Sequence, residues 1–155
     1  MQTKIIVLFC LVFAGVLNAE TIRIETPEFI SYRVSDISFE ELQLRIGNEL
    51  QVNGFNIVYE INIAKALEAV SKNLDQQSKL HNGISIGFCK PSVSYQLMNK
   101  SIDTLLYCPL KLVVFQVKEN SEVTVSFLKA PKLNDQVDPK SMDAIIEKII
   151  TSALD

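Results

Sequence analysis

The sequence predicts an α+β fold in which amphipathic helices pack against an antiparallel sheet. Short runs rich in β-branched and aromatic residues alternate with segments of helical periodicity. Two of these runs, residues 110–117 and 122–128, flank a polar turn and are predicted to form a hairpin. The last helical segment repeats apolar residues at the spacing of a helix that lies on a sheet.

Residues 1–19 are predicted to be a cleavable signal peptide. Lys4 supplies a positive charge, residues 5–16 form an apolar run, and Ala19 ends a small-residue cleavage site. The run is shorter than the roughly 18 to 20 apolar residues that span a bilayer, so no stable membrane insertion is expected after cleavage. Cys10 lies inside the run, where a lipidation cysteine would normally close it. We therefore expect a periplasmic or secreted protein.

Residues 20–155 are expected to form a single domain with one hydrophobic core. The formal net charge of the whole chain is −3, and loss of Lys4 with the signal makes the mature domain more acidic. Nucleic-acid binding depends on clustered Lys and Arg, and the sequence has no such cluster. We therefore expect no nucleic-acid partner.

The first helix is well signalled. Ser38 is placed to cap it, and Glu41 would complete a capping box. Its apolar residues share one face: Phe39, Leu42, Ile46 and Leu50. Asn53-Gly54 is expected to end it, because glycine tolerates the left-handed turn.

Residues 29–35 and 55–61 are predicted strands, and residues 20–28 an irregular lead-in. In the second strand, alternation places these residues on one side: Phe55, Ile57, Tyr59 and Ile61. Asn62 is expected to cap a second helix, whose apolar stripe consists of Ile63, Leu67, Val70 and Leu74. Residues 75–82 lack periodicity and indicate an exposed loop.

The second half continues the pattern. Residues 84–88 are a predicted strand, and Pro91 suits the first turn of a short helix. Residues 104–107 are strand-like before Pro109, which should bend the chain. Asp138-Pro139 starts the terminal helix. Its apolar stripe consists of Met142, Ile145, Ile146, Ile149, Ile150 and Leu154.

Cys89 and Cys108 remain once the signal is removed, and an even number of cysteines in an exported protein favours a disulfide. The bridge would enclose the short helix and stabilise the fold by about 3 kcal/mol. Buried free thiols and a reactive or ligand-binding pair are the alternatives. Lys90 and the following helix N-terminus would each lower the pKa of the Cys89 thiol, which supports the reactive pair.

Tyr95, Tyr107 and Lys111 flank the cysteine region and, with Lys90, are candidate binding residues for a pocket between the sheet and the terminal helix. Ordinary packing is the stronger interpretation of both tyrosines. His81 is the single histidine and lies in a polar loop, so we predict no metal site. Common hydrolase and nucleotide-binding motifs are missing, so we expect no cofactor and favour a non-catalytic protein.

The element order and several motifs resemble the DUF302 family, also called TT1751-like. The matching stretches lie within residues 29–131 and include Asn53-Gly54-Phe55, Phe88-Cys89-Lys90-Pro91 and Cys108-Pro109 before the hairpin. The resemblance implies an antiparallel sheet with helices packed on one face, of the TATA-binding-protein-like (TBP-like) β-α-β(4)-α type, here with an inserted short helix. Many members have Pro-Cys-Arg at the later turn, whereas this chain has Cys108-Pro109-Leu110-Lys111.

The leading functional hypothesis is an exported, non-catalytic domain that binds a small ligand or a protein partner. The alternative is a thiol-dependent redox or sulfur-handling protein that uses Cys89 and Cys108. A third is a homodimer that pairs through open sheet edges. An apolar concavity under the terminal helix would favour the first, exposed sulfurs within bridging distance the second, and a long uncovered edge strand the third.

Overall fold

A computed structural model describes residues 20–133, 135 and 137–155. The predicted signal peptide, residues 1–19, lies outside these residues. Among the described residues, no helix has the length and apolarity needed to cross a membrane.

The described residues form one sheet, four α-helices and a 3₁₀ helix. The strands are β1 (Thr21–Glu25), β2 (Phe29–Val34), β3 (Asn56–Asn62), β4 (Asn82–Cys89), β5 (Leu110–Gln116) and β6 (Val123–Leu128). The helices are α1 (Phe39–Val52), α2 (Ile63–Asn73), α3 (Pro91–Met98), the 3₁₀ helix (Ile102–Tyr107) and α4 (Lys140–Leu154). All strand pairs are antiparallel, in the order β1-β2-β6-β5-β4-β3. This arrangement confirms the predicted α+β class.

The main core lies between one face of the sheet and helices α1 and α4. The predicted stripe of α1 is buried, and Ser38 caps the helix by accepting a 3.1 Å hydrogen bond from the Glu41 amide. Helix α4 buries Ile146, Ile149 and Ile150 against the same cluster. The strands contribute alternate residues to this face: Ile30, Tyr32, Val34, Ile84, Ile86, Phe88, Leu112, Val114, Val123, Val125 and Phe127. One face of the sheet is therefore buried in the core.

The lead-in predicted for residues 20–28 is wrong, because Thr21–Glu25 forms the edge strand β1. It pairs with β2 from Thr21 opposite Val34 to Glu25 opposite Ile30. The strand is short and places charged side chains on its helix-facing side, which hides the usual apolar signal. Inward charges of this kind also protect an edge from pairing with other chains.

A β-bulge overturns the predicted alternation of the second strand. Ile57 pairs with Phe88 and faces the core, but the register shifts at Val58. Tyr59 then pairs with Gly87, and Ile61 with Ser85, on the opposite face. The extra residue of a bulge reverses the facing of every residue that follows it.

The prediction of a strand at residues 104–107 is also wrong, because these residues form part of the 3₁₀ helix. Thr104 and Tyr107, three residues apart, are its buried members, which matches the three-residue period of this helix. The Thr104 hydroxyl donates a 2.6 Å hydrogen bond to the Ser101 carbonyl. Together with Leu97, Val137 and Met142, Tyr107 forms a small second core beside α4.

Ion pairs fasten β1 to the rest of the molecule. Arg23 donates to Glu147 of α4 at 2.5 Å and to Glu25 at 2.7 Å. Glu25 also accepts a hydrogen bond from Lys129. The hydrogen bonds from Lys129 and Arg23 lower the pKa of Glu25 from 4.5 to about 2.

We expect the Glu25 carboxylate to remain ionised in the folded protein down to about pH 2. A lowered folded pKa stabilises the fold above the unfolded pKa, and this contribution is lost as the pH falls from about 4.5 towards 2. Carbon-13 NMR titration of the carboxyl measures the midpoint. Lys129→Met should raise it, whereas Lys132→Met, which removes a separate pair with Asp135, should not. An unchanged midpoint in Lys129→Met would contradict this assignment.

Two glycine substitutions should change stability in opposite directions. A Cβ at Gly87 would lie 2.2 Å from the Tyr59 ring, so Gly87→Ala should destabilise the fold by about 1–3 kcal/mol. A Cβ at Gly47 would meet nothing within 4 Å, so Gly47→Ala within α1 should stabilise it by about 0.5–1 kcal/mol. Urea unfolding of the two variants measures both free energies. Equal effects would contradict the close packing of Tyr59 on Gly87.

Candidate functional site

The candidate site is the sheet face that points away from the main core. Antiparallel sheets commonly bury one face and expose the other. On this face, α2 covers only the end near β4, where a Cβ at Gly83 would lie 3.0 Å from Ile63 of α2. Large apolar side chains remain substantially exposed on the face: Ile22, Phe29, Ile61 and Leu128. A water-facing sheet would more usually be polar here.

Strand register places three serines of this face in one row across the sheet, together with one isoleucine and one valine. Ile24 lies opposite Ser31, and Ser31 opposite Ser126. Ser126 in turn pairs with Val113, and Val113 with Ser85. Bulkier side chains flank the serines of the row: Arg33 and Phe115 on one side, and Phe29, Leu128, Lys111 and Tyr59 on the other. The result is a trough that runs perpendicular to the strands.

The trough has a volume of about 750 Å³ where it crosses β2, β6 and β5. This size falls within the range of roughly 300–1,000 Å³ that is typical of small-molecule sites. Its walls are mostly apolar, with Phe29, Val113, Phe115 and Leu128 among the lining residues. Such walls, with a few polar groups among them, are typical of ligand pockets.

The floor of the trough carries buried hydroxyl groups. The Ser31 and Ser126 hydroxyl oxygens lie 2.5 Å apart, so one donates to the other. Ser31 is only 5% exposed and Ser85 only 8%. The Ser85 hydroxyl forms no hydrogen bond with another of the described residues. Ser85 lies beside Val113 in the row but is not among the residues that line the trough, whereas Ser31 and Ser126 line it.

Two cationic side chains stand at the walls. Arg33 and Lys111 are exposed, and within the described part of the chain neither forms an ion pair. Arg33 lies on β2 and Lys111 lies two strands away on β5, offset by four residues along the strand direction. Their Cα atoms are therefore roughly 16 Å apart across the trough. Glu122 also lines the trough, at the end near Arg33.

Cys89 and Cys108 form a disulfide, with their Cα atoms 5.6 Å apart. This geometry agrees with the first of the three predicted states of the pair. Both residues are partly buried, and the Cys89 sulfur lies 3.2 Å from the Ser94 hydroxyl of α3. The bridge joins the end of β4 to the start of β5 and encloses α3 and the 3₁₀ helix.

The structure brings two of the four candidate binding residues together, because Lys90 and Tyr107 line the same small cavity beside α4, and it separates them from Lys111. The Lys90 ammonium donates a 2.7 Å hydrogen bond to the Asn53 carbonyl and lies 5.5 Å from the Phe55 ring centroid. The Tyr107 hydroxyl donates a 2.7 Å bond to the Pro131 carbonyl, whereas Tyr95 is 64% exposed. Lys111 alone of the four lines the trough.

Other spaces in the described part of the chain fit a ligand less well than the trough does. Between the cysteine region and α4 there is a cavity of about 20 Å³, which is large enough for a single water. A cleft of about 760 Å³ lies between α2 and the loop that contains His81, but exposed polar side chains line most of it. In the described part of the chain, no three His, Cys, Asp or Glu residues are grouped as metal ligands.

The serines of the trough were missed by sequence reasoning. The alternation in residues 122–128 correctly placed Ser126 on the side opposite Val125. It could not show that Ser31, far away in sequence, lies beside Ser126. That neighbour depends on the pairing of β2 with β6, for which a single sequence carries no local signal.

Comparison with known proteins identifies the family. The model of the family described as "Domain of unknown function DUF302" matches residues 30–154. A crystal structure of an uncharacterized conserved DUF302 protein from Bacillus stearothermophilus has a TM-score of 0.56 and 18% sequence identity, and the match covers 89% of this chain and 96% of that chain. No curated protein matches the chain. The resemblance noted in the sequence is therefore confirmed, and this chain belongs to the DUF302 family.

Proposed function

We propose that the protein is an exported, non-catalytic domain that binds a small ligand in the trough on the open face of its sheet. The observation that carries this proposal is the trough itself, with apolar walls over a floor that carries the hydroxyl groups of Ser31 and Ser126. The concavity expected under the terminal helix is too small for such a ligand, whereas the trough has the right size.

Binding accounts for the lining residues better than catalysis does. The Ser31 and Ser126 hydroxyls contact each other, and no histidine lines the trough to activate either as a nucleophile. The cations at the walls suit recognition of a charged group. Export is part of the proposal, and the disulfide supports it because such bridges persist in oxidising compartments.

Filling the trough should weaken ligand binding. Val113 lies partly buried in the middle of the floor row, so Val113→Trp places a large side chain where the ligand would lie. We expect saturable binding of the neutral apolar dye Nile red to the unmodified protein and at least about tenfold weaker binding to the variant.

Leu44→Trp is the matched control, because Leu44 is 64% exposed on α1. Fluorescence titration measures both affinities, and thermal unfolding checks that both variants are folded. Equal dye affinity in the two variants, or no saturable binding to the unmodified protein, would contradict the proposed site.

The second candidate function is thiol redox chemistry, which the bridged and partly exposed Cys89–Cys108 pair favours. A redox role requires that the folded protein exchange its disulfide with mild reductants. A structural role instead requires that the bridge restrain the unfolded chain. The homodimer through sheet edges has less support, because β1 is short and charged and β3 is bulged.

We expect the bridge to be structural. The double variant Cys89→Ser, Cys108→Ser should lose about 3 kcal/mol of stability and keep the dye affinity of the trough. Urea unfolding and dye titration measure these two effects. A thiol count with intact mass on the exported protein adds a direct check. Ready reduction of the folded protein by a mild reductant would instead support the redox function.

A further inference from the structure

We propose that the ligand of the trough is a single-chain amphiphile with an anionic head group, which is held at Lys111. This inference rests on the proposed function and adds the chemical class of the ligand. The apolar body would lie along the row of small residues, over Val113 and towards Ile24. The shared chemistry of the head group is a carboxylate or a phosphate monoester.

The surroundings of Lys111 favour an anion. In the sheet it lies opposite Gly87, and continuing the β5–β6 register places Leu128 on its other side. No acidic residue occupies these positions or the next ones on the same face, and Lys111 forms no ion pair with a described residue. A head group placed there would gain a charge-assisted hydrogen bond beside apolar surface.

Arg33 is the less favourable of the two cationic positions for an anionic head group. It pairs with Thr124, and Glu122, which lies two residues before Thr124 and just ahead of β6, also lines the trough. Diagonal neighbours of this kind have Cα atoms about 7–8 Å apart, which is within reach of long side chains. The carboxylate of Glu122 therefore offsets part of the charge that Arg33 would offer to a ligand.

The floor of the trough supplies polar groups through Ser31 and Ser126, whose hydroxyl oxygens lie 2.5 Å apart. The Ser85 hydroxyl, which has no partner among the described residues, lies next to Val113 in the row and two residues from Gly87. Ser85 is buried beside the trough and is not one of its lining residues. A ligand in the trough would therefore meet the hydroxyl groups of Ser31 and Ser126, directly or through a bound water.

A second copy of the chain fits the face less well. Two open faces packed together would enclose two Lys111 and two Arg33 side chains, with Glu122 as the acidic lining residue of each trough. Burying cations without matching anions is unfavourable. An anionic amphiphile covers the apolar walls and supplies the missing charge.

Matched probes with the same twelve-carbon chain test the inference. Dodecanoate, dodecyl phosphate, dodecanol and dodecyltrimethylammonium are titrated into the full mature protein below their micelle concentrations and followed by calorimetry. We expect each anion to bind about tenfold or more tightly than dodecanol, and the cation to bind most weakly. The ratio of the two anion affinities distinguishes a carboxylate from a phosphate ligand.

Lys111→Met should reduce the preference for dodecanoate over dodecanol to about one. Arg33→Met should reduce the preference less. Lys100→Met is the control, because Lys100 is exposed and lies outside the trough. It should leave the preference intact.

Each contrary outcome has a distinct meaning. If dodecanol binds as tightly as dodecanoate and Lys111→Met changes nothing, the anionic class is wrong and the trough remains a binding site. If no probe binds, both proposals fail. If the protein sediments as a dimer that Val113→Trp dissociates, a second copy occupies the face and this inference is wrong.

Discussion

The burial of one sheet face by α1 and α4 is the constraint on which the rest of the structure depends. Leu42, Ile46 and Ile150 are fully buried against alternate residues of the strands. Because strand side chains alternate between faces, this burial also determines which residues point the other way. The open face of β2, β6 and β5 is therefore the complement of the core. A one-residue slip in any of these strands would exchange the two faces.

The trough follows from small residues that lie in register across this face. Ser31, Ser126 and Ser85 come from three strands, and the pairings of β2 with β6, of β6 with β5 and of β5 with β4 place them in one row. Larger neighbours on both sides make the row a depression. Edge strand β1 extends it with Ile24, and the contacts of Arg23 and Glu25 to Glu147 and Lys129 hold that strand in place. Ion pairs outside the trough thus help to maintain the shape of the trough.

The elements with local signals were predicted well. The Ser38 cap and the stripe of α1 needed only helical spacing, and the hairpin of β5 and β6 needed only alternation around a polar turn. The failures were features without such signals. Strand β1 is stabilised by its pairing with β2, and the bulge at Val58 depends on the register with β4. The apolar stripe of α2 was recognised, but sequence could not show that Leu67, Val70 and Leu74 would stay exposed.

The site was predicted only in part for the same reason. Cys89 and Cys108 were found because an even number of cysteines in an exported protein favours a bridge, and the sequence places Lys90 and Tyr107 close to them. Lys111 was selected for its position near the cysteines, yet it belongs to the trough on the other face. The trough residues are far apart in sequence, so only tertiary pairing shows them as neighbours.

The most direct test of ligand binding in the trough is to locate a bound amphiphile on the protein. Amide chemical shifts are recorded by NMR while dodecanoate is added to the mature protein. If the amphiphile binds in the trough, the largest changes occur on three adjacent strands of the open face, at Ser31, Lys111, Val113 and Ser126. Changes confined to residues 89–108 would contradict it and place binding at the disulfide segment.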